Sequence, residues 1–448
     1  MLAKKREQWG PGSGFLLATL GSAVGIGNVW RFSYVAGENG GGAFLLVYLA
    51  MVFLVGMPLL LGEFALGRST QRESAAAMET LAPVSPWRRL GLLGVIVASL
   101  ILAYYAVIAG WVMKYLALHL LGTTQEFAAA GFAAAFGRFV AHPVEPIAWQ
   151  LAVMALTVAI VAAGVERGIE AVSKLLMPAL GLLLLALAIH SASLPGFRQG
   201  MAFLFNPDWT ALARPEVYLA ALGQALFSMG LAMGVMVTYG SYLAPTRRLP
   251  GAVLTIALGD TLFAVTAGLI IFPAVFSFGM DPAQGPALAF IVLPEVFSQM
   301  NGGAWIGAAF FVLLTIAALT SAVSLLEVPV AFVMQRFGWS RPLASLGLGS
   351  LIFVLGIPAS LGFGPWGGLT AANGRGILDL MDFIAADILL PLNGLLIALF
   401  LGWIWPRRDA LAACDLQESR FGRFWHFSLR YTVPLLVAVI LARSVWEL

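Results

Sequence analysis

The sequence predicts an all-α integral membrane protein of eleven transmembrane helices, and three observations carry that prediction. Of its 448 residues, 60% are hydrophobic and 10% charged, whereas an ordinary soluble domain is roughly 25% charged. The apolar residues come in long runs, and about 20 in succession is what a helix needs to cross a hydrocarbon layer about 30 Å thick. Lys and Arg gather in alternate loops, as in chains whose basic loops stay on the cytoplasmic side.

Apolar runs bounded by charge or proline place the spans, in order, at 12–36, 42–67, 90–121, 147–163, 170–189, 216–243, 250–278, 303–334, 342–361, 377–404 and 426–444. Lys4, Lys5, Arg6, Arg68, Arg72, Arg88, Arg89, Arg167, Arg247, Arg248, Arg336, Arg341, Arg407, Arg408, Arg420 and Arg423 fall on one side, and only Arg138, Arg198, Arg214 and Arg375 on the other. The N-terminus is therefore expected in the cytoplasm, and an odd number of crossings leaves the C-terminus outside the cell. No polar stretch is long enough to fold alone, so residues 1–448 read as one transmembrane domain in a plasma (inner) membrane. The segments 122–146, 190–215 and 279–302 are long for connections, and the last reads as a short amphipathic hairpin able to cap a pathway.

Composition also excludes. The formal charge of +3 sits in a few loops, which points to anionic membrane lipid and away from nucleic acid. One cysteine, Cys414, forbids an internal disulfide and a cysteine metal site. The four histidines show no ligand spacing, and the basic start is followed by a Gly-rich run too long for a cleavable signal.

Two spans are interrupted. The first carries Gly21, Gly25, Gly27 and Asn28 at its middle; the sixth carries Phe227, Ser228, Gly230 and Gly234. Each interior glycine costs roughly 1 kcal/mol against alanine in a helix, so both spans are expected to unwind locally. Small residues also serve close helix packing, but interruptions at corresponding places in two halves point to a transporter site formed by discontinuous helices in an inverted repeat. The halves run from about 12 to 190 and from about 216 to 404, with 426–444 as an extra span. Broken helices expose free N–H groups to an anion and free carbonyls to a cation. A zwitterion bound with a sodium ion suits both. Carbonyls near Gly21, Ala23 and Val24, the Asn28 amide and the hydroxyls of Thr320 and Ser321 are candidate oxygen ligands. Charges at membrane depth are functional candidates by default: Arg31, Glu63, Asp260, Glu327, Asp379 and Asp382. Asp260 has no neighbouring base in sequence and so calls for a cation or a proton.

With these residues in view, the chain resembles the neurotransmitter:sodium symporter family, close to its bacterial amino-acid transporters of LeuT type. The resemblance runs nearly end to end and is strongest in GSAVGIGNVWRF, ENGGGAFLLVY, GEFALGR, AYYAVIAGW, GQALFSMG, VTYGSY, GLIIFPAVF and ALTSAVSLLEVP. It implies the LeuT-type fold, a 5+5 inverted repeat with spans 1 and 6 unwound. It also implies sodium as co-substrate, two ions, and no resident cofactor. The first sodium would be held by the Ala23 carbonyl, Asn28, Ser228, Asp260 and the substrate carboxylate. The second would take carbonyls of Gly21, Val24 and Ala317 with the hydroxyls of Thr320 and Ser321. The substrate site would comprise Ser22, Ala23, Gly27, Ile101, Tyr105, Phe227, Ser228, Gly230, Met233, Ser321 and Leu325, with Tyr105 on the carboxylate. Phe227 and Tyr105 would form a thin lid, Arg31 with Asp382 an outer gate, and Arg6 with Trp9 and Tyr242 an inner gate. Gly168 and Pro178 fit a spacing associated in some relatives with unwinding of span 5.

Departures from the family pattern sharpen the expectation. Members that carry monoamines supply an aspartate where this chain has Gly25, so an amino acid is favoured. Asp260 stands where many members have asparagine, which implies chloride-independent transport and a group able to return a proton. Gln335 replaces the acid that elsewhere pairs with Arg6. Gly230 and Met233 leave an adaptable pocket, so bulky hydrophobic or aromatic L-amino acids are expected. The sequence thus reads as a sodium-coupled symporter of neutral amino acids and not an enzyme: no His-Glu-x-x-His or Gly-x-Ser-x-Gly motif occurs. An amino-acid sensor on the same scaffold and a proton-coupled amino-acid transporter remain the alternatives.

Overall fold

The computed structural model describes residues 7–446 except 125, 126, 128, 130, 284–287, 372, 373 and 418. Among the described residues, regular structure is helical apart from one isolated bridge between Gly41 and Pro207. The long helices are α3 (Gly42–Thr70), α5 (Pro86–Leu121), α7 (Glu145–Ala162), α8 (Val165–Ala192), α12 (Pro250–Ser277), α14 (Gly303–Phe337), α15 (Arg341–Leu361), α16 (Ile377–Ile404) and α18 (Arg420–Arg443). These nine described helices are long and apolar enough to cross a membrane, and a bent pair, α1 (Gly14–Ala23) with α2 (Gly27–Glu38), makes ten. Between α8 and α12 lie two shorter pieces, α10 (Pro215–Ser228) and α11 (Val235–Ser241). Short helices α4 (Ser74–Leu81), α6 (Phe132–Ala141), α9 (Phe197–Phe205), α13 (Val292–Gln299) and α17 (Arg407–Ala413) fill the connections.

The breaks follow from the residues in them. Hydrogen bonding of α1 ends with the Val24 N–H on Leu20 O (2.7 Å), and Val24 is extended. The chain restarts at Gly27 in a wide i→i+5 turn, bent by 50° from α1. In the second break Gly230, Ala232 and Gly234 all have φ between 59° and 73°, a left-handed run that no right-handed helix tolerates. Two of the three are glycines, for which that conformation carries no side-chain penalty.

Burial sorts the long helices by position. The most apolar stretches of α5 and α14 are 72% buried, while those of α7 and α8 are 33% and 28%. The former pair packs lengthwise at the centre, and α1, α7, α8, α11, α15 and α16 pack against one or both of its members. The latter show Leu151, Leu175 and Leu182 outward, as lipid-facing helices do. At the end of α3 the buried Arg68 donates to Asp415 (2.8 Å) and to the carbonyls of Ala413 (2.6 Å) and Arg247. The Leu249 N–H also reaches Asp415 (2.9 Å), so one ion pair ties three connections together.

Candidate functional site

Because both breaks fall at the same depth beside α5 and α14, their freed backbone groups and side chains face one small cavity of about 30 Å³. Its walls include every residue of the expected substrate site: Ser22, Ala23, Gly27, Ile101, Tyr105, Phe227, Ser228, Gly230, Met233, Ser321 and Leu325. Gly25, Asn28, Val235 and Ser324 complete it. Ser324 was legible, since it lies one helical turn from Ser321 on the same face. It accepts a hydrogen bond from Ser22 (2.8 Å), and Ser321 donates to the Ser22 carbonyl (3.1 Å). Gly25 is glycine for want of space: a Cβ there would lie 2.6 Å from Ser321 Oγ and 3.4 Å from the Tyr105 hydroxyl. A Cβ on Gly27 would meet the Phe227 ring at 2.9 Å.

One wall of the cavity is polar. Asp260, fully buried on α12, accepts from Asn28 Nδ2 (2.6 Å) and from Ser228 Oγ (2.8 and 3.0 Å), while the Tyr48 hydroxyl stands at 3.4 Å. All three partners are neutral, and a buried carboxylate with neutral partners still carries an uncompensated charge. The Gly25 N–H holds Asn28 Oδ1 (3.0 Å) and so orients that amide. Sequence reasoning placed Asn28, Ser228 and Asp260 together, and they meet here. On the other side of α1, a Cβ at Gly21 would lie 3.3 Å from Thr320 Cβ, so α1 and α14 touch where the second ion was expected. Thr320 Oγ1 is bonded to the Ile316 and Ala317 carbonyls (3.1 Å each), the usual habit of a helix threonine.

Larger cavities lie on either side. One of 230 Å³ is lined by Trp30, Arg31, Tyr34, Phe290, Asp379 and Asp382, and it shares Gly27, Tyr105 and Phe227 with the central cavity. Those two rings therefore form the partition. Arg31 lies over the Phe227 ring (5.3 Å) and donates to Gln224 (2.8 Å), which donates in turn to the Gly27 carbonyl (3.0 Å). Among the described residues no direct ion pair joins Arg31 to Asp382, although both face this cavity. Of the expected hairpin, the described part forms α13 and a preceding turn whose Phe290 is buried among Trp30, Trp111, Tyr115 and Phe136. Residues 284–287 lie outside the described residues.

The third cavity, 670 Å³, opens on the side of the N-terminus and is lined by Glu7, Gln71, Tyr242, Gln335 and Arg341 among others. Trp9 packs on Tyr242, one of its lining residues: the Trp9 indole donates to the Tyr239 carbonyl (2.9 Å), its backbone N–H to the Tyr242 carbonyl (3.2 Å), and its ring stacks edge-on against both tyrosines. Arg6, expected at this gate, lies outside the described residues. A charge cluster that sequence reading did not assemble stands beside Trp9. Arg341 binds Glu327 through both Nη atoms (2.6 and 3.0 Å) and Glu7 through Nε (2.9 Å), and the Tyr242 hydroxyl donates to Glu327. Glu327 alone signalled it, as a charge at membrane depth. Glu63, noted for the same reason, accepts from the Ala232 N–H (2.7 Å) and supports the second break.

A helical membrane protein with two helix breaks beside one small cavity has clear relatives. The model of the sodium:neurotransmitter symporter family matches residues 6–127 and 140–448. A sodium-dependent transporter of Bacillus subtilis is 40% identical over 443 residues, 98% of each chain. Another from Methanocaldococcus jannaschii is 30% identical, covering 97% of this chain and 90% of its own. The crystal structure of MhsT in complex with L-phenylalanine superposes with a TM-score of 0.92 at 51% identity, covering 98% of this chain and all of that one. The breaks, the cavity and these relatives agree, and the chain belongs to the sodium:neurotransmitter symporter family, transporters and not enzymes.

Proposed function

We propose that the protein takes up neutral L-amino acids, preferentially bulky hydrophobic or aromatic ones, in symport with two sodium ions by alternating access. The observation that carries this reading is the central cavity, where two helix breaks meet behind a two-ring partition and two wall residues, Asn28 and Ser228, are bonded to the buried Asp260. That MhsT is described with L-phenylalanine bound supports the amino-acid class.

The substrate carboxylate would lie at the start of α2, where free N–H groups and the Tyr105 hydroxyl favour an anion. The ammonium would face the carbonyl ends of α1 and α10, and the side chain would project toward Ile101, Met233 and Leu325. One sodium ion would be held by the Ala23 carbonyl, Asn28, Ser228, Asp260 and the substrate carboxylate. The other would sit between α1 and α14 on the Gly21, Val24 and Ala317 carbonyls and the Thr320 and Ser321 hydroxyls. A negative Asp260 makes chloride unnecessary, and its protonation after sodium leaves would return a proton outward.

In this reading α10 and α11 are one broken crossing, which brings the total to eleven, and the two halves form inverted repeats. The N-terminus is cytoplasmic, so the Arg341 cluster and Trp9 close the inner side while Phe227, Tyr105, Arg31 and Asp382 close the outer. Inward sodium flow supplies the work, about 2.3 kcal/mol per charge per 100 mV. Equilibrium binding of labelled L-phenylalanine to the purified protein tests the coupling. Binding in sodium that disappears in choline supports it; equal binding in both overturns it.

A further inference from the structure

We propose that Asn393 is a positioning residue: it fixes the left-handed Ala232 peptide in the second helix break, and through it Met233, so that it sets the size of side chain the site accepts. The proposal rests on the amino-acid reading above. Ala232 is buried, with φ 59°, a conformation that disfavours an L-residue bearing Cβ. A strained residue persists when its surroundings over-determine it. Both of its peptide groups are held: the N–H by the Glu63 carboxyl of α3 (2.7 Å) and the carbonyl by the Asn393 amide of α16 (2.7 Å). The helix carrying Asn393 also runs close to Ala232 at Gly394, where an added Cβ would lie in ordinary contact, 3.5 Å from that of Ala232. Asn393 is itself buried and wedged beside Gly94 of α5, where an added Cβ would meet Nδ2 at 3.3 Å. Met233, next in the chain, lines the cavity. Two side chains from two helices thus hold the peptides on both sides of one residue, and the adaptable methionine is fixed at its base.

The test uses the full-length protein in detergent with Asn393→Ala, Ala232→Gly and the double variant. Hydrogen exchange of peptides spanning 229–236 reads the clamp without any ligand: Asn393→Ala is expected to speed it at least fivefold, and an unchanged rate overturns the proposal. Binding of L-phenylalanine and L-alanine reads the consequence. Release of Met233 should shrink the ratio of their affinities at least fivefold. A purely structural loss, in which both ligands weaken by one factor, overturns the role. Ala232→Gly keeps both backbone hydrogen bonds and removes the Cβ penalty of the left-handed conformation, so alone it should leave the ratio nearly unchanged, and in the double variant it should recover part of what Asn393→Ala loses; a double variant as impaired as Asn393→Ala contradicts the restraint. Failure of the unmodified protein to bind either amino acid overturns the reading on which the size role rests, while the exchange result still judges the clamp.

Discussion

At position 25 the site admits no atom beyond hydrogen, since a Cβ would lie 2.6 Å from Ser321 Oγ. Gly25→Ala should therefore cost about 2 kcal/mol of binding by overpacking, roughly a thirtyfold loss of substrate affinity, while the purified protein stays folded. Equal affinity would mean that the wall yields. Asp260 is the other decisive residue. Its partners are neutral, so Asp260→Asn should raise the sodium concentration for half-maximal binding at least tenfold. Replacing chloride by gluconate should leave the unmodified protein unaffected and impair the variant. These residues were legible because glycine and a lone carboxylate are improbable at membrane depth, and their joint placement came from the resemblance. The bond from Arg31 to Gln224 was not legible, because only the folded chain brings residues 193 apart in sequence together.

Helix pieces carry the next level of behaviour. The first break was signalled by three glycines, and there the chain bends by 50° between α1 and α2. The second was visible in Gly230 and Gly234 but not in Ala232, whose left-handed backbone comes from tertiary hydrogen bonds and not from its own preference. The Arg341 cluster likewise brings Glu7, 334 residues away in sequence, onto Arg341 and Glu327 of the consecutive helices α15 and α14. Removing one partner of a buried ion pair costs about 3–5 kcal/mol, whereas an apolar replacement of both is tolerated. Arg341→Ala should thus lower the thermal midpoint sharply, and Arg341→Met with Glu327→Leu should recover much of it. At the loop that holds Asp415, burial works against the charged form. Hydrogen bonds from Arg68 and the Leu249 N–H outweigh it and keep the carboxyl below its ordinary range. A depressed carboxyl stabilises the fold above its unfolded value and ceases to do so as pH falls through the folded one. Asp415→Asn should therefore lower stability near pH 7, with the difference from the unmodified protein vanishing under strongly acidic conditions. A difference that persists there would assign the loss to packing.

Across the whole molecule, the boundaries of the long helices follow hydropathy, which is why 250–278 and 377–404 were read almost to the residue. Broken crossings evade a length criterion, so the described helices number nine or ten against the eleven spans expected. Three cavities of 230, 30 and 670 Å³, the first two parted by the Phe227 and Tyr105 rings and the last lined by Glu7 and Arg341, are compartments that alternating access can use. They became visible only with the fold, since each gathers residues far apart in sequence. The measurement that tests the account most directly is uptake of labelled neutral L-amino acids into proteoliposomes of the purified protein, with and without an inward sodium gradient. Accumulation that requires the gradient and favours large hydrophobic side chains is the predicted result. Accumulation without sodium, or binding with no accumulation, would contradict it.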